Sequence, residues 1–110
     1  MSEGYVLSLQ AEADLTEIAQ YTLVKWGEQA FEQYRNGLKQ IFSAIADGSV
    51  VSRTFSESLP SVLVVKYRHH FIFYLRRSHD IPIIIGIIHE KRDIVALLAK
   101  RLTSPVKREG

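Results

Sequence analysis

Val62-Leu63-Val64-Val65-Lys66-Tyr67, Phe71-Ile72-Phe73-Tyr74-Leu75 and Ile81-Pro82-Ile83-Ile84-Ile85-Gly86-Ile87-Ile88-His89 follow one another with only short breaks between them. β-Branched and aromatic residues dominate all three runs. The breaks Arg68-His69-His70 and Arg76-Arg77-Ser78-His79-Asp80 are polar and basic, as hairpin connections require. The stretch therefore predicts an antiparallel three-stranded meander. Ile83, Ile84, Ile85, Ile87 and Ile88 leave neither face of the last strand polar, which predicts a central strand covered on both sides. Pro82 fits only at that strand's start, because it lacks a ladder donor.

Composition narrows the classes. With 110 residues the chain reads as one domain, large enough to bury roughly 60 to 70% of its unfolded surface. It has no cysteine, so disulfides and Cys-based zinc or redox sites are excluded, which suits a reducing cytoplasm. Met1-Ser2-Glu3-Gly4 does not read as a signal peptide, and Ile81 to Ile88 is too short to span a bilayer as a helix. The net charge is only +2, but acidic residues lie mostly before Glu57 and basic ones after it. That asymmetry suits an anionic partner, or simply a solvated basic face.

Before the meander the periodicity is helical. Tyr5 to Leu7 reads as a short strand and Ser8 as a helix N-cap, followed by a helix from about Leu9 to Lys25 with Ala11, Leu15, Ile18, Ala19 and Thr22 on its apolar face. Glu12 and Asp14 follow near the positive end of the helix dipole. Gly27 reads as a left-handed stop. Phe31, Tyr34, Leu38, Ile41, Phe42 and Ile45 mark a second helix from Glu28 to Asp47-Gly48, so the pair forms an antiparallel hairpin laid on the sheet. Gly37 costs that helix about 1 kcal/mol relative to alanine, and close packing would compensate. Gly48 to Pro60 reads as a serine-rich surface loop. Ile94, Leu97, Leu98 and Leu102 mark a C-terminal helix, with Asp93 at its start, Lys100 and Arg101 at its end, and a fraying tail from Thr103. The fold class is α+β.

Leu7-Ser8, Ala11-Glu12-Ala13-Asp14-Leu15, Ile18, Tyr21-Thr22, Trp26-Gly27, Tyr34, Leu38, Ser56-Glu57, Pro60, His69-His70, Ile88-His89-Glu90, Asp93 and Leu97 to Leu102 occur in an order and spacing that resembles the ParE toxins of the RelE/ParE superfamily. His69-His70 and Ile88-His89-Glu90 look like the plasmid-borne branch. The resemblance implies a cytoplasmic toxin that poisons DNA gyrase by trapping its cleaved-DNA intermediate. It implies no cofactor and no catalytic residues. It also implies neutralisation by a ParD-like ribbon-helix-helix antitoxin, through which alone operator DNA is reached. A segment that orders on binding could receive the apolar hairpin, with Leu15, Ile18, Trp26 and Phe31 as candidate antitoxin contacts. Lys66, Arg68, Arg76, Arg77 and Arg92 are the candidate target contacts.

The superfamily also contains ribosome-dependent ribonucleases, whose chemistry needs a base, an acid and cations around the phosphate. Arg68, Tyr74 and His89 are the residues suited to that alternative, although Glu90 and the long last helix depart from the ribonuclease pattern. A further alternative is an inactive, antitoxin-binding corepressor. Adjacent strand residues such as His69 and His70 point to opposite faces, so they read as two surface histidines near a turn and not as metal ligands. His89 reads as a hydrogen-bonded structural residue, and Trp26 as core closing the helical hairpin.

Overall fold

The computed structural model describes residues 4–76 and 80–103. Ser8 makes the first turn of the chain: its Oγ accepts from Ala11 N–H at 3.1 Å, ending strand β1 (Val6–Leu7) and starting helix α1 (Leu9–Trp26). Gly27 alone separates α1 from α2 (Glu28–Asp47), at φ 92° and ψ 177°. This is a positive-φ extended conformation and not the expected left-handed helical one, but it demands glycine for the same steric reason. A single linking residue forces the two helices to fold back as a hairpin.

Four further strands follow: β2 (Arg53–Ser56), β3 (Leu59–Tyr67), β4 (His70–Leu75) and β5 (Ile83–His89), and then α3 (Ile94–Thr103). The sheet order is β1-β5-β4-β3-β2, antiparallel except for β1, which pairs parallel to β5. The expected meander is therefore the middle of a five-stranded sheet. The expected surface loop between Gly48 and Pro60 contains an edge strand instead. Arg53 and Thr54 pair with Val64 and Leu63, and Phe55 sets its ring edge-on to Phe73 at 5.4 Å. One aromatic among serines carries too little alternation to announce a strand, and the tertiary contact supplies what the pattern lacks. Thr103 is the last residue of α3, and the rest of the expected frayed tail lies outside the described residues.

As the isoleucine run requires, β5 is covered on both faces. Ile84 and Ile87 pack with Leu38, Phe42 and Ile45 under the hairpin, while Ile85 and Ile88 pack with Leu98 under α3. A bulge between Phe73 and Tyr74 in the β4 register admits the extra residue on β5. On the hairpin side Gly37 is the point of closest approach: an added Cβ would lie 2.8 Å from Tyr67 Cζ and still closer to its hydroxyl, which donates to Tyr34 C=O at 3.4 Å. Close packing does occupy the glycine.

β1 ends at Leu7, so beyond Ile84 that edge of β5 has no neighbouring strand among the described residues. Two side chains from opposite faces of the sheet satisfy part of it. Asp14 of α1 accepts from Ile87 N–H at 2.9 Å, and Arg101 of α3 donates to Ile85 C=O at 2.9 Å. The two join as a fork, with Arg101 Nη1 and Nη2 on the two carboxylate oxygens at 2.8 and 3.0 Å. Both side chains are only about one-seventh exposed, at 14% for Asp14 and 15% for Arg101. Gly86 leaves the space that the guanidinium occupies, because a Cβ there would meet Arg101 Nη1 at 2.8 Å.

Two stability predictions follow from these contacts. Gly37→Ala should lower unfolding free energy by about 1–3 kcal/mol in urea titration, the overpacking at Tyr67 outweighing the helix propensity gained; a more stable variant would refute the packing account. Asp14→Ala and Arg101→Ala should each cost about 3 kcal/mol, and the double variant much less than the sum, because each single change strands a mostly buried partner charge.

Candidate functional site

At the end of the sheet where Asp14 and Arg101 meet, α1, the start of α2 and the β3–β4 turn enclose an open groove of about 700 Å³. Its floor is the last part of β5, Ile87 to His89, and its apolar walls include Ile18, Ala30 and Leu97. Trp26 stands on its rim at 64% exposed and Tyr21 at 58%. The expectation that Trp26 closes the core is overturned: it stands exposed at the last turn of α1, and Lys25 Nζ sits over both the Tyr21 and Trp26 rings at 5.6 Å.

Three histidines line the same end. His70 meets the His89 ring edge-on at 5.1 Å, and His69 lies roughly parallel to His89 at 6.2 Å. The reading of His69 and His70 as two surface residues holds only for His69. His70 is half-buried, and its Nδ1 is 2.9 Å from the Tyr34 hydroxyl. Burial, followed by the like charges of His89 and His69, lowers the His70 pKa to about 4, so the ring is neutral at neutral pH. Burial likewise raises the Tyr34 pKa, which keeps the hydroxyl protonated. His89 is hydrogen-bonded as expected: Nδ1 accepts from Lys91 N–H at 3.1 Å, which leaves the other ring nitrogen carrying the proton of the neutral form. Glu90 bridges Lys66 at 3.0 Å and His69 at 2.8 Å, and these hydrogen bonds, Lys66 first, hold its pKa at about 2. Among the described residues no cluster of three His, Cys, Asp or Glu is arranged to hold a metal.

The candidate basic contacts do not form one stripe. Lys66, Arg68 and Arg92 lie at the groove end, with Lys66 over Phe71 and the Arg68 guanidinium 5.4 Å from the Tyr67 ring centroid. Arg76 follows β4 at the opposite end, about 20 Å away along the strand, where its guanidinium donates to Ile45 C=O at the end of α2. Arg77 lies outside the described residues. The alternative ribonuclease set is not assembled. Arg68 and His89 are at the groove, but Tyr74 is 2% exposed with its hydroxyl 2.8 Å from Ser52 Oγ, four residues or about 13 Å along β4 from His70. Of the apolar candidates, Ile18 lines the groove, and Leu15 packs against the hairpin-side core. Phe31 is half-buried on α2 under the Arg35 guanidinium.

Sequence reasoning missed Asp14 and Arg101, and the signal was present. Asp14 follows Ala11 by three residues and precedes Ile18 by four, while Arg101 follows Leu98 by three. Each is a charge on its helix's apolar stripe, a placement that requires a buried partner.

Residues 5–94 match the family described as "ParE toxin of type II toxin-antitoxin system, parDE". The chain is similar to Toxin ParE of Escherichia coli, with 34% identity over 99 residues covering 90% of this chain and 96% of that protein. It is also similar to Toxin ParE1 of Mycobacterium tuberculosis, with 28% identity over 94 residues covering 86% of this chain and 96% of that one.

The acid and alkaline limits of stability should follow from the groove. His70 has a folded-state pKa below its unfolded value, so its stabilising effect is complete above about pH 6.5 and is lost as pH falls toward 4. Glu90 extends the loss from its ordinary pKa of 4.5 toward 2. Tyr34, raised above 10, adds a loss of stability as pH rises beyond 10. Urea midpoints measured from pH 3 to 11 should show both declines, and His70→Gln should flatten the part between pH 6.5 and 4.

Proposed function

The chain belongs to the ParE toxin family of type II toxin–antitoxin systems, and from that premise we propose that it poisons DNA gyrase in the cytoplasm and is neutralised by a ParD-like antitoxin. The observation that carries this reading is the agreement of residue order over residues 5–94, nearly the whole folded domain. The toxin acts by binding, without catalysis and without a cofactor: it needs only a higher affinity for the cleaved gyrase–DNA complex than for the religated one. About 1.4 kcal/mol of preference shifts that equilibrium tenfold. The burial of Tyr74 weighs against the ribonuclease alternative, because its hydroxyl is spent on Ser52 and cannot meet a phosphate beside His89.

Among the described residues no helix is long and apolar enough to cross a membrane. The antitoxin is the partner with which a member of such a module is made, and operator DNA is reached through it. Lys66, Arg68 and Arg92 are the proposed gyrase or DNA contacts, because they share one end of the molecule. Arg76 is kept apart from them by the sheet's length.

The purified protein, gyrase, supercoiled plasmid and ATP, treated with denaturant and protease, should yield linear DNA that requires both proteins. The triple substitution Lys66→Ala, Arg68→Ala and Arg92→Ala should lower that yield about tenfold, as loss of a few exposed charge contacts would, with the circular dichroism spectrum unchanged. Intact plasmid with folded protein would refute the gyrase reading.

A further inference from the structure

Two turns meet at one end of the sheet. Glu90 N–H donates to His69 C=O at 2.8 Å, which ties the β5–α3 connection to the β3–β4 turn, and Arg92 N–H donates to His89 C=O at 3.0 Å, which closes that connection into a turn of its own. Tyr67 pairs with His70, so the β3–β4 link is the two residues Arg68 and His69. Links of that length favour glycine or asparagine where φ is positive. Arg68 is neither, yet its φ is 56°. Backbone strain of this kind collects where a side chain has a task beyond folding. The guanidinium does little for the fold itself: it rests 5.4 Å from the Tyr67 ring centroid.

Charge at this end is unevenly balanced. Glu90 holds Lys66 at 3.0 Å and His69 at 2.8 Å, and Asp93 Oδ1 accepts from Ala96 N–H at 3.2 Å at the start of α3. Arg68, Lys91 and Arg92 are exposed, and among the described residues none of the three has a carboxylate partner. With paired strands about 4.8 Å apart, the joined turns gather these cations into a patch about 10 Å across. At about 3.4 Å of axis per phosphate, roughly three phosphates of one DNA strand cover that distance. The exposed side chains of the two turns, Arg68, His69, Lys91, Arg92 and Asp93, are all polar, so the patch lacks the apolar centre of a protein interface. Phosphate contacts need no such centre, and a guanidinium matches two phosphate oxygens with two donors. We propose that this end of the toxin touches the DNA backbone inside the gyrase complex, through Arg68, Lys91 and Arg92. The inference rests on the gyrase reading and commits it to DNA at these residues. Lys66 is set apart from them, because Glu90 already neutralises it.

The chain has no cysteine, so one introduced cysteine carries a photo-reactive aryl azide to a chosen place. Lys91→Cys, labelled and irradiated with gyrase, plasmid and ATP, should cross-link to DNA. Ser43→Cys, exposed on α2 toward the end where Arg76 meets Ile45, should not. Where the label at 91 itself stops cleavage, Ala96→Cys, exposed near the start of α3, takes its place. Linear plasmid without label on the DNA would overturn the contact and leave the gyrase reading standing, and so would equal labelling from both ends of the molecule. Absence of linear plasmid with the unmodified protein would remove both. Arg68→Gly separates contact from folding: relief of the positive φ should raise the melting temperature by about 4 °C. The same change should raise the toxin concentration for half-maximal cleavage about tenfold. A lower melting temperature, or unaltered cleavage, would overturn the role of Arg68.

Discussion

The fork between Asp14 and Arg101 is the constraint on which the rest of the structure depends. β5 is hydrophobic on both faces and needs a helical layer on each, yet its edge is covered by a strand of only two residues. Without a partner, Ile87 N–H and Ile85 C=O would be unsatisfied beside an apolar core, at a cost of about 1–3 kcal/mol for each group. One carboxylate and one guanidinium meet both needs and bind each other. Though 87 residues apart in sequence, Asp14 and Arg101 tie α1 and α3 to the same strand from opposite sides.

The same arrangement creates the groove. Because Ser8 turns the chain into α1 early, the edge of β5 past Ile84 is left for side chains to finish, and the fork finishes only part of it. What lies beyond is a short apolar trough bounded by exposed aromatics on α1, by three histidines and Glu90 at the end of the sheet, and by Tyr34 of α2. Its neutral, half-buried His70 and protonated Tyr34 form a wall without charge, while Arg68 and Arg92 supply positive charge beside it.

Much of this was legible in the sequence. The hairpin, the Ser8 cap, the doubly covered isoleucine strand and the last helix each rest on periodicity over several residues, a signal that local packing reinforces. β2 was not legible, because four residues among serines become a strand only when Phe55 finds Phe73. Trp26 was misread for a related reason. Its burial depends on whether another element packs over the last turn of α1, which no local pattern encodes.

By itself, the sequence determined the elements other than β2, the two-sided burial of β5 and the family, since each is written in the spacing and order of residues along the chain. Only the tertiary structure decided that Lys66, Arg68 and Arg92 gather at one end while Arg76 stands at the other. It alone placed Tyr74 deep under the hairpin, and it alone brought the histidines of two strands together around the groove. The physical reason is that these are distances across a sheet. They are fixed by strand order and register, which arise from pairing between distant segments and leave no trace in the neighbourhood of any one of them.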